Sequence, residues 1–449
     1  MESCVTMSEY AKNLVKLQEK VKIVATEDIL SDKGVLLAKN GIQLNKKTCE
    51  NILKFKLLKP LEDSIAIENQ LDAKSIYDKV KAFILTDASV NAMHQTIGNK
   101  TSLQRCCLKV EEFPLVQQKL TVLCLELPTI FDQAIQSAYL AYACAILEKK
   151  QQQSIEECFL SGLVHDIGFL HINHTFLQKK EALTPEEWGS IQAHPVIGYQ
   201  ILNAIDKFPK VVSRAVLEHH ENLDGTGYPR KKTGQDISEL GQLLSLLDNV
   251  IAIYNKKFKV QGRSLRSVIP VLRINMHSYF PSVSSTIIGM LKLTPNLPVT
   301  SSESNFARDV IDKSSRKQDY IQKTTHVIKE TNKEMGFTHN NKDVYFIQNI
   351  ANNIIFIVNS AGLYGSFNLD EGGNLSKDEK QAHYNELADT LVILEEVIYQ
   401  CQFYEKTAGV FVAENIQHPL AKTISAGLEK IKALPSPDTP GSLKRSRSG

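Results

Sequence analysis

Two adjacent histidines, His219 and His220, stand inside the stretch VLEHHENLDGTGYP, which runs from residue 216 to residue 229. A histidine and an aspartate are adjacent in GLVHDIG, as His165 and Asp166, and His194 follows in AHPVIG. Imidazole and carboxylate groups form the ligand set of protein sites for manganese, iron, nickel or zinc. These three segments therefore predict a metal site.

The surroundings of these residues give the prediction a physical basis. Asp248 lies in LLSLLDNV, on an otherwise apolar helix face where an unpaired carboxylate would be costly to bury, and a metal would supply its partner. His165 and Asp166 end an apolar helix just before Gly168, which we predict to be the helix C-cap. In an alternative interpretation the histidines are only packing residues, but that would leave several buried polar groups unsatisfied.

A long helical region, from about 129 to 293, must position these residues. Its apolar residues recur at three- and four-residue spacing in AIQSAYLAYACAILEKK and ELGQLLSLLDNVIAIYN. Between these two segments Thr184 is a predicted helix cap, with Pro185 at the first helical position and Glu187 closing a capping box. We therefore expect a bundle of helices around the candidate site.

Other units flank the helical region. Short β-rich runs broken at Gly34 and Gly41, followed by a helix from about Lys46, predict a small β-rich unit over 1–62, and 63–127 read as a helical connector. The polar, proline-containing segment 294–306 predicts a linker. A strand-like block, DVYFIQNIANNIIFIVNSAGLYGSFNL, with turn candidates at Asn352-Asn353 and Ala361-Gly362, and a capped helix from Ser376 predict an α+β unit over 307–433.

The last segment, 434–449, is rich in proline, serine and glycine, which predicts disorder. Its three basic residues, Lys444, Arg445 and Arg447, are interpreted as part of a solvated tail rather than as a binding site.

Composition narrows the function classes. The 449 residues include 52 basic and 50 acidic side chains, so no global field argues for nucleic acid or a membrane surface as a partner. No apolar run is long enough to span a bilayer and the first 20 residues lack the apolar core of a secretory signal, so we expect a cytoplasmic protein. The eight cysteines form no framework and are expected to be reduced.

The segment from about 130 to 290 resembles an HD-GYP domain, a branch of the HD phosphohydrolase superfamily. The resemblance lies in HDIG at 165–168, LTPEEW at 183–188, HPVIG at 194–198, HHENLDGTGYP at 219–229, and Asp248. It implies a multidomain protein whose central part, 128–293, is an all-α HD-type bundle between the small β-rich unit and the α+β unit. The family's distribution also implies a bacterial source.

The resemblance further implies two or three divalent transition metals, iron or manganese, bridging a hydroxide that attacks the phosphodiester of cyclic di-GMP. The implied metal ligands are His165, Asp166, His194, His219, His220 and Asp248, and Asp166 is also the implied catalytic residue. Four residues of the glycine-rich loop would shape and wall the substrate site: Gly225, Gly227, Tyr228 and Pro229. That loop is also a candidate docking surface for GGDEF diguanylate cyclase domains, and a homodimer is left open.

Three positions and one segment depart from the family pattern. Active members usually place a histidine, preceded four residues earlier by a glutamate, on the helix before the His-Asp pair, and Gln136 and Asp132 occupy those positions here. We treat both as doubtful metal ligands. Phe169 replaces a lysine that would contact the substrate phosphate, a loss of charge that can cost about 10²-fold in rate. An arginine-containing RPY element after Asp248 is missing, although Lys256, Lys257 or Lys259 could supply charge.

Two functions compete on these grounds. We predict an HD-GYP-type signalling protein with a degenerate site, which binds metal, a cyclic dinucleotide or a cyclase partner with weakened or absent hydrolysis. The alternative is an active cyclic di-GMP phosphodiesterase in which Gln136 or a water completes one metal. A phosphohydrolase that acts on a different nucleotide is a third hypothesis.

Overall fold

The computed structural model describes residues 3–98, 100–179, 181, 183–223, 225–276, 279–295, 306–336, 341–363 and 376–438. The chain divides into two compact units, one containing residues up to 257 together with 279–295, and the other containing 258–276 and the described residues from 306 onward. Most of the predicted linker and tail, 296–305 and 439–449 with the three basic residues, lies outside the described residues. The domain boundaries predicted from the sequence stay predictions.

The first unit begins with a helix, α1 (Ser3–Leu17), and four short strands. Strand β1 (Ile23–Ala25) pairs antiparallel with β4 (Ile65–Ile67), and β2 (Ile29–Leu30) pairs antiparallel with β3 (Leu36–Ala38). The predicted β-rich character of this region is confirmed. Gly34 and Gly41 both have a φ of +77°, a conformation that glycine adopts without a steric penalty. Helix α2 (Lys46–Ile52) begins at the predicted residue, because Asn45 caps it.

Helices make up the rest of the first unit. They are α3 (Ala73–Thr86), α4 (Ala88–Ile97), α5 (Lys100–Lys109), α6 (Pro114–Glu126), α7 (Pro128–Leu147), α8 (Gln152–Val164), α9 (His174–Gln178), α10 (Pro185–Gln192), α11 (His194–Ala204), α12 (Lys210–Glu218), α13 (Glu239–Ile253) and α15 (Pro281–Leu291). The predicted helical bundle is confirmed, and α10 begins with the predicted capping box of Thr184 and Glu187. Helices α7 and α8 pack backbone to backbone at Gly162, where a Cβ would lie 2.5 Å from the Ala138 nitrogen.

A buried ion pair joins the N-terminal part of this unit to the bundle. Lys119 of α6 is fully buried, and its Nζ lies 2.9 Å from Glu62 Oε1 and 3.2 Å from His171 Nε2. The ammonium also sits over the ring of Tyr10, 3.4 Å from its centroid, and Tyr10 stacks on His171. Burial alone would raise the pKa of Glu62, but Lys119 outweighs it and holds that pKa below its usual value.

We expect Lys119→Met to lower the free energy of unfolding by about 3–5 kcal/mol, because it leaves the Glu62 carboxylate buried without its partner. Urea denaturation followed by circular dichroism would measure this. The double variant Lys119→Met/Glu62→Gln should recover much of the loss, since it removes the unpaired charge. A loss below about 1 kcal/mol in the single variant would show that the pair contributes little.

The second unit contains only helices among its described residues, so the predicted α+β class is wrong for this part of the chain. The helices are α14 (Ile269–Ile274), α16 (Phe306–Met335), α17 (Lys342–Ser360), α18 (Lys377–Glu414) and α19 (Ala421–Lys432). The predicted capped helix is confirmed, because Ser376 and Glu379 form a capping box at the start of α18. Within the described ranges of the whole chain, none of the helices combines the length and apolar character needed to cross a bilayer.

The strand-like block is a helix because its apolar residues follow a helical period. Val344, Ile347, Ile354 and Val358 are buried on one face of α17, together with Ala351, and they pack in the core of the second unit. The β-branched residues that suggested strands fill that core instead, since tertiary packing overrides a weak intrinsic preference. The rest of the block, 364–369, lies outside the described residues.

Candidate metal centre

His165 and Asp166 lie where α8 ends. The helix ends at Val164, with His165 as its C-cap, and a 3₁₀ segment, Ile167–His171, follows Asp166. The prediction that Gly168 caps the helix is wrong, because Gly168 lies inside this 3₁₀ segment. Its missing side chain has a different purpose: a Cβ at this position would collide with the carbonyl oxygen of His194. The backbone contact brings the start of α11 close to Asp166.

Three histidines are oriented in the same way. The Nδ1 atoms of His165, His194 and His219 lie 2.8, 2.8 and 2.6 Å from the carbonyl oxygens of Gly162, Ile191 and Val216, each three residues earlier in the chain. A carbonyl can only accept, so Nδ1 donates and Nε2 of a neutral ring keeps an unshared electron pair. Backbone carbonyls fix metal-binding histidines in this way in known sites.

The three Nε2 atoms converge on the Asp166 carboxylate. His165 Nε2 lies 3.3 Å from Oδ2, while His194 Nε2 and His219 Nε2 lie 3.4 and 3.7 Å from Oδ1. The Nε2 atoms of His194 and His219 are 3.2 Å apart, and His165 Nε2 has no hydrogen-bond partner among the described residues. The structure thus brings together four of the six predicted ligands around one point.

His220 extends this cluster. Ligand atoms of His194, His219 and His220 all lie within 4.8 Å of one another, a separation that one metal ion can bridge. The His220 ring stacks on Tyr228, with centroids 4.6 Å apart and planes 25° apart. In this cluster His219 lies next to Asp166, and His220 lies next to Tyr228.

The charges of the cluster follow from burial and pairing. Burial alone would lower the pKa of His165, but the Asp166 carboxylate outweighs it and raises that pKa to about 9. Burial would likewise raise the pKa of Asp166, yet the neighbouring imidazoles hold it well below its usual value. Burial lowers the pKa of His219 to about 4 and that of His220 well below its usual value, so both rings are neutral at pH 7 and able to act as ligands.

The remaining candidates are less closely placed. Asp248 of α13 is half-buried and interacts electrostatically with His165 and Asp166, and burial followed by the Asp166 charge raises its pKa. Gln136 of α7 is half-buried, and its Oε1 accepts a hydrogen bond of 3.0 Å from Asn255 Nδ2. Asp132 is exposed one turn earlier. The carbonyl oxygen that Gln136 could offer to a metal is therefore already hydrogen-bonded.

Phe169 covers one side of the cluster. Its ring stacks on His194 with centroids 4.0 Å apart and planes 17° apart, and only 9% of the residue is exposed. The aromatic ring thus packs against an imidazole of the cluster and brings no positive charge to it.

Two buried glutamates, which were not among the predicted site residues, hold the glycine-rich loop. Glu221 accepts hydrogen bonds from the backbone nitrogens of Arg230 and Lys232, at 2.7 and 2.9 Å. Glu218 accepts from the side chains of Lys232, Arg214 and Ser238. Their place on either side of the double histidine, in EHHE, was the available signal.

The glycines of the loop allow close backbone contacts. Gly225 has a φ of +76°, and a Cβ on Gly227 would collide with the carbonyl oxygen of His220. That carbonyl accepts a hydrogen bond of 2.9 Å from the Tyr228 nitrogen. The loop therefore folds back on the double histidine and places Tyr228, followed by Pro229, at the edge of the cluster. The substrate-binding role of these four residues stays a prediction.

The arrangement fits a transition metal. The Nδ1 atoms of His194 and His219 donate to backbone carbonyls, so their Nε2 atoms, 3.2 Å apart, need a cation or a proton between them. His165 Nε2 faces the Asp166 carboxylate at 3.3 Å, and a metal bound there would take the place of the proton that this pairing favours on the ring. A mixed imidazole and carboxylate donor set suits zinc, iron or manganese.

Comparison with known proteins agrees with this geometry. A family model described as an HD domain matches residues 117–280. Residues 117–280 belong to the HD domain family. The match covers most of α6, the helices from α7 to α13 and all the histidines of the cluster, so the resemblance found in the sequence motifs is confirmed. HD phosphohydrolases are metal-dependent enzymes, and the histidine cluster of this HD domain agrees with that property.

Relatives of the HD domain include cyclic dinucleotide phosphodiesterases. The chain is 32% identical over 172 residues to the cyclic di-GMP phosphodiesterase PdeB of Borreliella burgdorferi, a region that is 38% of this chain and 45% of the relative. It is 31% identical over 137 residues to the 3'3'-cGAMP-specific phosphodiesterase 3 of Vibrio cholerae, 30% of each chain. The chain thus matches less than half the length of these two relatives.

Two solved structures are also similar. An HDG"Y"P protein from Bdellovibrio bacteriovorus shares 16% sequence identity, with a TM-score of 0.32 and coverage of 61% of this chain and 94% of that one. A cyclic GMP-AMP specific phosphodiesterase of Vibrio cholerae shares 12% identity, with a TM-score of 0.26 and coverage of 68% and 93%.

Proposed function

We propose that this protein is a metal-binding member of the cyclic dinucleotide phosphodiesterase family whose hydrolysis is weakened or absent. The observation that carries the proposal is the contrast between the two sides of the site. Four ligand-type side chains converge at His165, Asp166, His194 and His219, whereas Gln136 is hydrogen-bonded to Asn255 and Phe169 stacks on His194. Most of the proposed metal ligands are present, whereas the first-histidine position and the position of the phosphate-contacting lysine are altered.

The residues that would hold metal are His165, Asp166, His194, His219, His220 and Asp248. Bound divalent transition metals, iron or manganese, would supply Lewis-acid polarisation of a phosphodiester and activation of a water. We propose two such ions, with His219, which lies next to Asp166, and His220, which lies next to Tyr228, as ligands of different ions. The site residues contribute orientation: the backbone carbonyls fix the imidazoles, and Asp166 provides the negative charge between them.

The proposed ligand is a cyclic dinucleotide, cyclic di-GMP or 3'3'-cGAMP, which the names of the relatives give as their substrates. The Tyr228 loop would form one wall of its pocket. Phe169 brings no charge to a phosphate, and removing a single group that stabilises developing charge typically costs about 10²- to 10³-fold in rate. Binding without fast turnover is therefore the expected behaviour.

The alternative is an active phosphodiesterase, and the intact His-Asp cluster is the observation that favours it. Purification without chelator, followed by elemental analysis, should show about two transition metal ions per chain. Calorimetry with cyclic di-GMP should show binding, and chromatography should show slow or no appearance of the linear dinucleotide. Hydrolysis as fast as in PdeB measured in parallel would establish the active alternative, whereas a metal-free protein that binds no cyclic dinucleotide would overturn both.

A further inference from the structure

Trp188, the only tryptophan of the chain, lies on a helix without a buried face. Its helix, α10, has no buried residue, and 46% of Trp188 is exposed. A tryptophan ring can contribute a large apolar area to a core, and here that area is left on the surface. Packing in the bundle therefore does not account for an aromatic residue of this size at this position.

The ring of Trp188 continues a row of rings that begins at the metal centre. His220 stacks on Tyr228 with centroids 4.6 Å apart, and Tyr228 meets Trp188 edge to face, with centroids 6.3 Å apart and planes 70° apart. A flat apolar surface thus stands two ring-to-ring steps from the histidine cluster.

The helix that carries Trp188 is held in place from its first turn. Thr184 and Glu187 form a capping box, and Lys179 Nζ lies 2.7 Å from Glu187 Oε2. Trp188 follows directly after this anchored residue. A ring that is oriented before binding loses little conformational freedom when a ligand stacks on it.

We propose that Trp188 is a stacking platform for one purine base of the cyclic dinucleotide whose phosphate lies at the metal centre. The inference rests on the proposed function and adds the group that recognises the base. An uncharged aromatic face binds the π-face of a base rather than a phosphate, and such stacking accepts any purine. Trp188 therefore contributes affinity for both cyclic di-GMP and 3'3'-cGAMP, with little discrimination between them.

The single tryptophan makes the proposal directly measurable. Titration of the metal-loaded full-length protein with cyclic di-GMP should change the tryptophan emission in a saturable way, with the same Kd as calorimetry gives. Trp188→Ala should raise the calorimetric Kd about 5- to 150-fold, the range expected for loss of one stacked base. Trp188→Phe keeps an aromatic face and should stay within about threefold of wild type. Phe55→Ala, which removes an exposed aromatic ring from the N-terminal unit, is the matched control and should leave Kd unchanged.

The outcomes separate this inference from the function on which it rests. If the wild-type protein binds cyclic di-GMP but the tryptophan emission and the Kd of Trp188→Ala do not change, the stacking role is overturned and the proposed function stands. If the wild-type protein binds metal but no cyclic dinucleotide, both are overturned. Equal weakening by Trp188→Ala and Trp188→Phe, with circular dichroism unchanged, would also contradict a role for the aromatic face.

Discussion

Replacing Asp166 by asparagine is expected to lower metal affinity by at least about 100-fold, to the point where the purified protein carries little transition metal. The carboxylate lies where three Nε2 atoms converge, at 3.3, 3.4 and 3.7 Å from its oxygens. Loss of even an outer partner of a metal ligand typically costs 10- to 100-fold in affinity, and this group is a direct ligand in the proposed site. Elemental analysis and competition with a chromophoric chelator would measure the change.

The asparagine keeps the shape of the side chain, so the variant tests its charge. Asp206→Asn makes the same chemical change at an exposed position of the same unit and should leave the metal content unchanged. Circular dichroism of both metal-free proteins would separate a lost ligand from a lost fold. Wild-type metal content in Asp166→Asn would remove this carboxylate from the proposed ligand set.

The positions of the histidines could be predicted because motif and local geometry coincide. Each of three histidines follows a helical turn, and the backbone carbonyl three residues earlier accepts a hydrogen bond from its Nδ1. These are His165, His194 and His219. Such a contact depends only on residues that are close in the sequence, so a short sequence motif is enough to predict it. The capping boxes at Thr184 and Ser376 were predictable for the same reason.

Features that depend on distant segments could not be predicted. Lys119 looks like an ordinary surface lysine of α6, and only the fold buries it between Glu62, Tyr10 and His171. Gly168 looked like a helix cap, whereas its role is to admit the His194 backbone from α11. To predict the roles of Lys119 and Gly168, one would need to know which helices and strands pack against each other.

The error in the second unit has a different origin. The block around α17 contains many β-branched residues and two consecutive asparagines, Asn352 and Asn353, which suggested strands and a turn. Its apolar residues nevertheless recur every three or four positions, and the residues at this spacing form the buried face of the helix. The spacing of the apolar residues therefore indicates the helix, whereas the preference of β-branched residues for strands led to the wrong prediction. The predicted turn at Ala361-Gly362 is where the helix ends, with Gly362 at a φ of +66°.

The double change Gln136→His/Phe169→Lys is expected to raise cyclic di-GMP hydrolysis by on the order of 10²-fold or more. Histidine at 136 replaces a hydrogen-bonded amide with an imidazole ligand on α7, and the N–H of its other ring nitrogen can donate to Asn255 Oδ1 if the Asn255 amide turns over. Lysine at 169 replaces a neutral ring stacked on His194 with a positive charge beside the developing charge of the reaction. The reaction would be run with saturating metal, and chromatography would measure the rate at which the linear dinucleotide forms.

Matched variants identify which property is responsible. Phe169→Met removes the ring without adding charge, and Gln136→Asn keeps the amide, so neither should raise turnover. Each single change, Gln136→His or Phe169→Lys, should give a smaller gain than the pair, because one completes the metal ligands and the other contacts the phosphate. If the double variant binds more metal and still forms no product, the loss of hydrolysis extends beyond these two positions, to the segment after Asp248 that lacks the arginine-containing element. Turnover restored by the pair alone would instead locate the difference between binding and hydrolysis at Gln136 and Phe169.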